Sequence, residues 1–398
     1  MNILAQHGYG PSDKVKQGYD LGYIQGAILS SRYIRPEKAN ETIDKILSDG
    51  EDFFLDPEYY ASRYIDLPNS KLGYLEEWPF FQPVRRNLLI TGKAIPLLIQ
   101  SALELQESIG VSGYISPNVY IDNADSINAA ISLNFISQAR QVMDEIKITE
   151  KPLYCSLVID RDAISDQNHF EDLVDTLTSL EHRLDGFYVL VGGGAVAEDG
   201  SHIRSDLYQE RVVANWMYLN HVLHLNDFKV INGCSEIFSP LLSICGASAC
   251  ATGWHGGQRQ FSITGYVRPP NAGGRSPLVR YMSSALLGRV KHDDLVNYQE
   301  FEPSVLNGLD SDGAYKGEPT RSEEMFQTWE TLGAISDEVT TGSLEEDLDS
   351  YQQRLGHAQI LWERLSSYGF SSGVEARLEQ LDCVNSAIER FKRLAELV

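Results

Sequence analysis

Residues 227–261, DFKVINGCSEIFSPLLSICGASACATGWHGGQRQF, decide the fold of this chain. They predict a strand at 229–233, a helix at 235–245 and a second strand at 249–253. A helix of about ten residues between two short apolar runs is the smallest crossover that connects parallel neighbours in one sheet. The stretch therefore predicts an α/β fold with a parallel sheet.

A glycine-rich turn, GWHGGQR, follows the second of these strands. Its backbone N–H groups are accessible, and two of its side chains can carry a positive charge. In this respect the stretch resembles the closing end of a (β/α)8 barrel, whose last two loops often hold a phosphate or another anion. The residues that we predict to bind a ligand here are Gly253, His255, Gly256, Gly257 and Arg259.

Six further strand-like runs precede this stretch, and helical sequence follows each of them. They lie at residues 2–5, 26–30, 52–55, 119–121, 153–159 and 187–191. Eight strand–helix units are what a closed barrel requires. The chain therefore resembles a (β/α)8 TIM-type barrel, which we assign to residues 1–295, with residues 278–288 as the last barrel helix.

An insertion at residues 58–86 interrupts this rhythm and is rich in tyrosine, tryptophan and phenylalanine. Long insertions of this kind commonly cover the mouth of a barrel as a lid. Packing against the outer helices is the alternative, and the sequence leaves both open.

The C-terminal part of the chain has a different pattern. Residues 296–340 form a polar, glycine-bearing connection, and residues 341–398 carry two helical runs with apolar residues at steps of three and four. The glycines of GFSSG, residues 369–373, separate the runs. This pattern predicts a C-terminal antiparallel helical hairpin. Its apolar stripe packs either on the barrel or on a second subunit or another protein.

Composition restricts the class of partner. The formal net charge of −23 repels phosphate backbones, which argues against nucleic acid and against a base-exchange enzyme acting on RNA. No run approaches eighteen apolar residues and the first ten residues lack a basic leader, so we expect neither a membrane span nor a signal peptide.

The five cysteines lack the paired C-x2-C spacing of structural zinc sites. Four of them lie in or beside predicted core elements, namely Cys155, Cys234, Cys245 and Cys250. Buried reduced thiols are the simplest interpretation, and they indicate a cytoplasmic protein.

Alternation along the strands predicts which side chains face the barrel interior, because the apolar positions must meet the helices. The side chains predicted to ring the mouth at the C-terminal ends of the strands are Gln6, Asp56, Asp122, Asp160, Asn232 and Thr252. The small residues of the eighth strand would leave room for a ligand.

Three aspartates in this ring permit three roles. Carboxylates forced together have raised pKa values suited to acid–base catalysis, or they attract a divalent metal such as Mg²⁺. Alternatively, each aspartate caps the helix that follows it. His7 and His255 are candidates for proton transfer, and Arg32 and Arg259 for anchoring a carboxylate or phosphate.

Glu236 follows the seventh strand, and Asp122 follows the fourth. Barrel glycosidases place their two catalytic carboxylates on those strands, so a hydrolase using this pair is one alternative function. A non-catalytic barrel that assembles through the hairpin is another. The principal prediction is an enzyme acting on a small anionic ligand at the mouth by acid–base or metal-assisted chemistry, with His7, Asp122, Asp160 and Glu236 as catalytic candidates.

Overall fold

The computed structural model describes residues 2–9, 13–48, 50–181, 184–192, 207–268 and 278–397. Its strands are β1 (Asn2–Gln6), β2 (Gly26–Ser30), β3 (Asp52–Asp56), β4 (Tyr114–Ser116), β5 (Tyr120–Ile121), β6 (Leu153–Ile159), β7 (Gly186–Val191), β8 (Lys229–Asn232), β9 (Ala249–Thr252), β10 (Arg280–Ser283) and β11 (Gly288–Lys291). The first nine form one sheet, and the last two form a separate antiparallel pair.

Helices follow most strands of the barrel. The C-terminal part of the chain is mainly helical. The helices are α1 (Lys14–Asp20), α2 (Ala39–Ile46), α3 (Arg86–Ile90), α4 (Ile95–Ser108), α5 (Ile127–Glu145), α6 (Arg161–Ser165), α7 (Gln167–Thr178), α8 (Glu210–Leu225), α9 (Ser239–Ile244), α10 (Gly256–Arg259), α11 (His292–Phe301), α12 (Arg321–Val339), α13 (Leu344–Ser367) and α14 (Val374–Leu394).

The main sheet is a nearly closed parallel barrel. Its strand order is β3-β2-β1-β9-β8-β7-β6-β4, and β5 also pairs with β6, so β4 and β5 are two halves of a broken fourth strand. Between the two end strands, the Ser112 N–H donates to the Phe53 carbonyl at 2.9 Å. The prediction of a TIM-type (β/α)8 barrel is confirmed.

The eighth helix of the barrel is α12, which packs against β1 and between α9 and α1. The Trp329 indole N–H of α12 donates to the Thr252 carbonyl of β9 at 3.0 Å. The predicted last barrel helix at residues 278–288 is wrong, because this run forms the β10–β11 hairpin. Leu287 in its turn has φ 45°, a left-handed conformation that a helix does not accept. The predicted connection at residues 296–340 therefore contains a barrel helix.

The C-terminal hairpin is antiparallel, as predicted. Gln352 of α13 bonds Asn385 of α14, and seven residues later Gln359 bonds Asp382, so the two helices run in opposite directions. The hairpin lies on α8 and α9. Its most buried stripe residues are Leu348, Leu355, Ala358, Leu365, Ile388 and Phe391. The apolar stripe is covered within one chain, which removes the main reason to propose assembly through it.

The aromatic insertion at residues 58–86 packs on the outside of the barrel and also contributes to the wall of its mouth. On the outer side, Tyr59 packs against Phe135 of α5 with ring centroids 5.8 Å apart. Trp78 donates its indole N–H to the Ser31 carbonyl at 2.8 Å. On the inner side, Tyr60 reaches the mouth of the barrel, where it meets Tyr266. The insertion is thus part of the fold and supplies Glu58, Tyr60 and Lys71 to the mouth.

Candidate active site at the barrel mouth

Two contacts between strands that are not neighbours identify the barrel interior. Gln6 Nε2 of β1 donates to the Tyr188 hydroxyl of β7 at 3.3 Å, and Phe54 of β3 meets Tyr154 of β6 with ring centroids 5.6 Å apart. Residues paired in register on adjacent parallel strands face the same side of the sheet. Because Phe54 and Asp56 lie two residues apart on β3, Asp56 also faces inward.

Two of the predicted ring residues face the opposite way, so their predicted orientation is wrong. Asn232 Oδ1 accepts from the Trp216 indole at 2.8 Å, and its amide bonds Asn220 at 2.7 Å; both partners are on α8, outside the barrel. In β9, Ala251 pairs with the inward residue Leu4, so Thr252 points outward. Successive side chains of a strand face opposite sides of the sheet whether they are polar or apolar. A buried polar side chain can therefore occupy an outward position when a helix supplies its hydrogen-bond partner.

A cavity of about 510 Å³ opens at the C-terminal ends of the strands, and we call it the mouth cavity. Its polar and ionisable lining residues include Gln6, His7, Ser30, Arg32, Asp56, Glu58, Tyr60, Lys71, Tyr188, Cys234, His255, Gln258 and Tyr266. Of the predicted site residues, the structure brings His7, Arg32, Asp56, His255 and Gly257 together here.

Two buried carboxyl groups, Asp56 and Glu58, occupy the wall of this cavity. Asp56 Oδ1 accepts from the Glu58 backbone N–H at 2.9 Å, and Oδ2 accepts from the Tyr60 hydroxyl at 2.9 Å. Burial, and after it the charge of Glu58, raise the pKa of Asp56 to about 7. A carboxyl group with such a pKa is present in both its acid and its base form at neutral pH.

Glu58 is held by residues from distant parts of the chain. Its carboxylate accepts from the Ser30 hydroxyl and from the Tyr266 hydroxyl, the latter at 2.5 Å. Burial raises the pKa of Glu58, although the positive charge of Arg32 partly opposes this. The backbone of Glu58 has φ 50°, a left-handed conformation that is uncommon outside glycine. Sequence reasoning missed Glu58, and its position two residues after Asp56 at the end of a strand was the only local signal.

An arginine and two histidines line the same cavity as these carboxyl groups. Arg32 is buried, stacks over the Tyr266 ring at 4.5 Å and donates to the Gly265 carbonyl at 3.0 Å. His255 lies at the exposed rim, where partial burial and then the charges of Arg321 and Lys14 lower its pKa. His7 is buried and packs edge-on against Trp254, with ring centroids 6.1 Å apart.

Arg259 and Glu236 do not face the mouth cavity but belong to one cluster of ion pairs. Arg259 lies 2.9 Å from Glu324 and 3.4 Å from Glu236. Arg289 lies 2.7 Å from Glu324 and 2.8 Å from Glu236. Glu236 is therefore the shared counter-charge of two guanidinium groups. The predicted catalytic pair of Asp122 and Glu236 is not brought into one cavity.

Asp160 has the capping role that was the alternative to catalysis, whereas the helix after Asp122 is capped by Ser126. Asp160 Oδ1 accepts from the Asp162 N–H at 2.9 Å at the start of α6, and its other oxygen bonds the Tyr120 hydroxyl. Asp122 is exposed and accepts from the Asn128 side chain of α5 at 3.2 Å. Neither lines the mouth cavity.

The glycine turn after β9 approaches the first strand closely. A Cβ added at Gly253 would lie 2.3 Å from the Gln6 carbonyl oxygen, whereas one at Gly256 or Gly257 would meet nothing within 4 Å. Gly253 thus permits the close packing of the turn, and Gly257 borders the mouth cavity. Three glycines, Gly192, Gly193 and Gly194, follow the sixth predicted strand, and the last two of them lie outside the described residues.

The described residues contain no group of three or more His, Cys, Asp or Glu side chains positioned to hold a metal ion. The five cysteines are free thiols, four of them buried. No helix in the described part of the chain has both the length and the apolar character to span a membrane.

The chain matches no model of a known protein family, and a search of curated proteins finds no relative.

Proposed function

We propose that this protein is an enzyme that performs acid–base chemistry on a small anionic ligand in the mouth cavity. The observation that supports this most directly is the buried pair of Asp56 and Glu58, whose pKa values are both raised. Structural carboxylates more often have lowered pKa values, because a cation or several N–H groups stabilise the charged form. A raised pair in a cleft is typical of catalytic carboxyl groups.

Asp56 is the candidate proton donor and acceptor, since its pKa of about 7 matches neutral conditions. Glu58 raises that pKa by its charge, and it is itself oriented by the hydroxyl groups of Ser30 and Tyr266. Burial of the pair makes a second negative charge costly, so one proton is retained between the two groups.

Arg32 is the candidate anchor for the anionic group of the ligand. Its guanidinium lies in the same cavity, and its one hydrogen bond among the described residues goes to a neutral acceptor, the Gly265 carbonyl. A planar guanidinium with free N–H groups matches a carboxylate or a phosphate. His7 and His255 remain candidates for a second proton-transfer group, as they line the cavity with Asp56.

A ligand screen followed by turnover measurements tests the proposal. Carboxylate- and phosphate-bearing metabolites are screened for thermal stabilisation of the protein, and each compound that binds is incubated with enzyme and followed by proton NMR. We expect Asp56→Asn and Glu58→Gln to retain binding and to lose turnover by roughly 10²–10⁴-fold.

The control is Asp122→Asn, which removes an exposed carboxylate outside the cavity and should leave turnover unchanged. Turnover at the wild-type rate in both Asp56→Asn and Glu58→Gln would show that the buried pair is not catalytic.

A further inference from the structure

A second cavity, of about 370 Å³, lies beside the mouth, and we call it the arginine pocket. The ends of β8 and β9, the β10–β11 hairpin and α14 surround it. Its lining residues include four arginines, Arg259, Arg280, Arg289 and Arg377, and one carboxylate, Glu236. Such a concentration of positive charge is opposite to the net charge of −23 of the whole chain.

Two of these arginines are neutralised. Arg259 and Arg289 each pair with Glu236 and with the buried carboxylate of Glu324. Arg289 also donates to the Thr328 hydroxyl at 2.7 Å. These two guanidinium groups are therefore fixed parts of the wall.

The other two arginines have no carboxylate at salt-bridge distance among the described residues. Arg377 of α14 donates to Gln380 Oε1 and to the Arg289 carbonyl, both at 2.9 Å, and both acceptors are neutral. Burial lowers the pKa of Arg377, and the like charge of Arg280 adds to this effect. Arg280 and Arg377 line one cavity, where their like charges repel each other and an anion between them would be attracted to both.

We propose that the arginine pocket binds the phosphate group of a small molecule through Arg280 and Arg377. Guanidinium forks match the tetrahedral oxygens of phosphate and form charge-assisted hydrogen bonds with them. The pocket lies at the ends of β8 and β9, which are the seventh and eighth strands of the barrel. TIM-barrel enzymes frequently bind phosphate at this place. Its volume falls within the range of small-molecule sites.

The arginine pocket and the mouth cavity are neighbours that share one lining residue. Cys234, in the turn after β8, lines both the arginine pocket and the mouth cavity. A ligand long enough to pass Cys234 with its phosphate on Arg280 and Arg377 would extend its other end towards Asp56. This last step rests on the proposed function, whereas phosphate binding in the pocket does not.

Isothermal titration with inorganic phosphate and with inorganic pyrophosphate tests the pocket directly. We expect saturable binding to the full chain that weakens with added salt. Arg377→Gln and Arg280→Gln should each weaken it by about tenfold or more, and Arg377→Lys should restore it only in part, because lysine lacks the planar fork. Circular dichroism and thermal unfolding verify that each variant is folded.

The matched control is Arg393→Gln, an exposed arginine on the same helix, which should bind like the wild type. The inference would be overturned if the wild type showed no saturable binding at millimolar phosphate, or if both Arg280→Gln and Arg377→Gln bound phosphate with the affinity of the wild type. Binding lost in Arg32→Gln instead would assign the anion to the mouth cavity. Asp56→Asn should bind phosphate normally, so failure here and failure of the proposed acid–base role are distinguished.

Discussion

Tyr266 donates its hydroxyl hydrogen to Oε2 of Glu58 at 2.5 Å, although 208 residues separate the two in sequence. Glu58 begins the aromatic insertion after β3, and Tyr266 lies in the segment after β9, the last strand of the barrel. The same hydroxyl lies 3.3 Å from that of Tyr60, which in turn bonds Asp56. This hydrogen-bonded chain joins both ends of the barrel sequence around the two buried carboxyl groups.

The acid pair should make stability depend on pH. The pKa of Asp56 rises on folding from its ordinary value of 3.8 to about 7, so the folded state binds a proton more tightly than the unfolded state. Its contribution to the free energy of unfolding is fully present below about pH 4 and is lost as pH rises through 7. We expect the difference between wild type and Asp56→Asn to fall over this window, by up to roughly 1.4 kcal/mol per pH unit.

Urea unfolding from pH 4 to pH 8 measures this difference. Asp122→Asn, at an exposed position, should give a curve parallel to that of the wild type. A wild-type protein that gains stability over Asp56→Asn as pH rises would contradict the raised pKa.

The turn after β9 should not tolerate a side chain at Gly253. A Cβ there lies 2.3 Å from the Gln6 carbonyl oxygen, so the backbone must shift. We expect Gly253→Ala to lower the free energy of unfolding by about 1–3 kcal/mol in a denaturant titration. Gly257→Ala in the same turn meets open space and should stay within about 0.5 kcal/mol of the wild type. Equal effects at the two positions would argue against the close approach.

Glu324 should be essential for stability because its side chain is only 1% exposed and pairs with Arg259, Arg289 and Arg321. Glu324→Gln leaves those guanidinium groups without their common counter-charge, and we expect a loss of about 3–5 kcal/mol by urea unfolding. Glu338, whose side chain is 66% exposed, also pairs with an arginine, Arg354. Glu338→Gln should cost less than about 1 kcal/mol, and a comparable cost at both sites would count against the buried cluster.

The C-terminal hairpin should be an integral part of the domain. Phe391 of α14 is fully buried, and its ring lies 5.6 Å from that of His221 on α8. We expect Phe391→Ala to destabilise the whole protein by about 3–5 kcal/mol in a single unfolding transition. Ile360→Ala, at a position 49% exposed on α13, should change stability by no more than about 0.5 kcal/mol. A separate early transition in Phe391→Ala would show instead that the hairpin unfolds independently.

The side of the sheet that a side chain faces was predictable only on strands whose residues differ clearly in size or polarity. In β6 the polar Ser156 stands among apolar residues, and the register with β7 places it on the same side as the inward residue Tyr188, as alternation predicts. Strand β9 is made of small residues, which fit either side, and Thr252 was assigned to the wrong one. Asn232 was misassigned because α8 supplies hydrogen-bond partners that no local pattern reveals.

Sequence alone determined the barrel, the hairpin and the position of Asp56 at a strand end, because strand–helix alternation and apolar periodicity are local properties of the chain. Only the tertiary structure decided which charges meet. It paired Arg259 with Glu236 and Glu324, and it placed Glu58 beside Asp56 under Tyr266. The physical reason is that the pKa of a carboxyl group and the partner of a guanidinium depend on burial and on neighbours brought from distant segments.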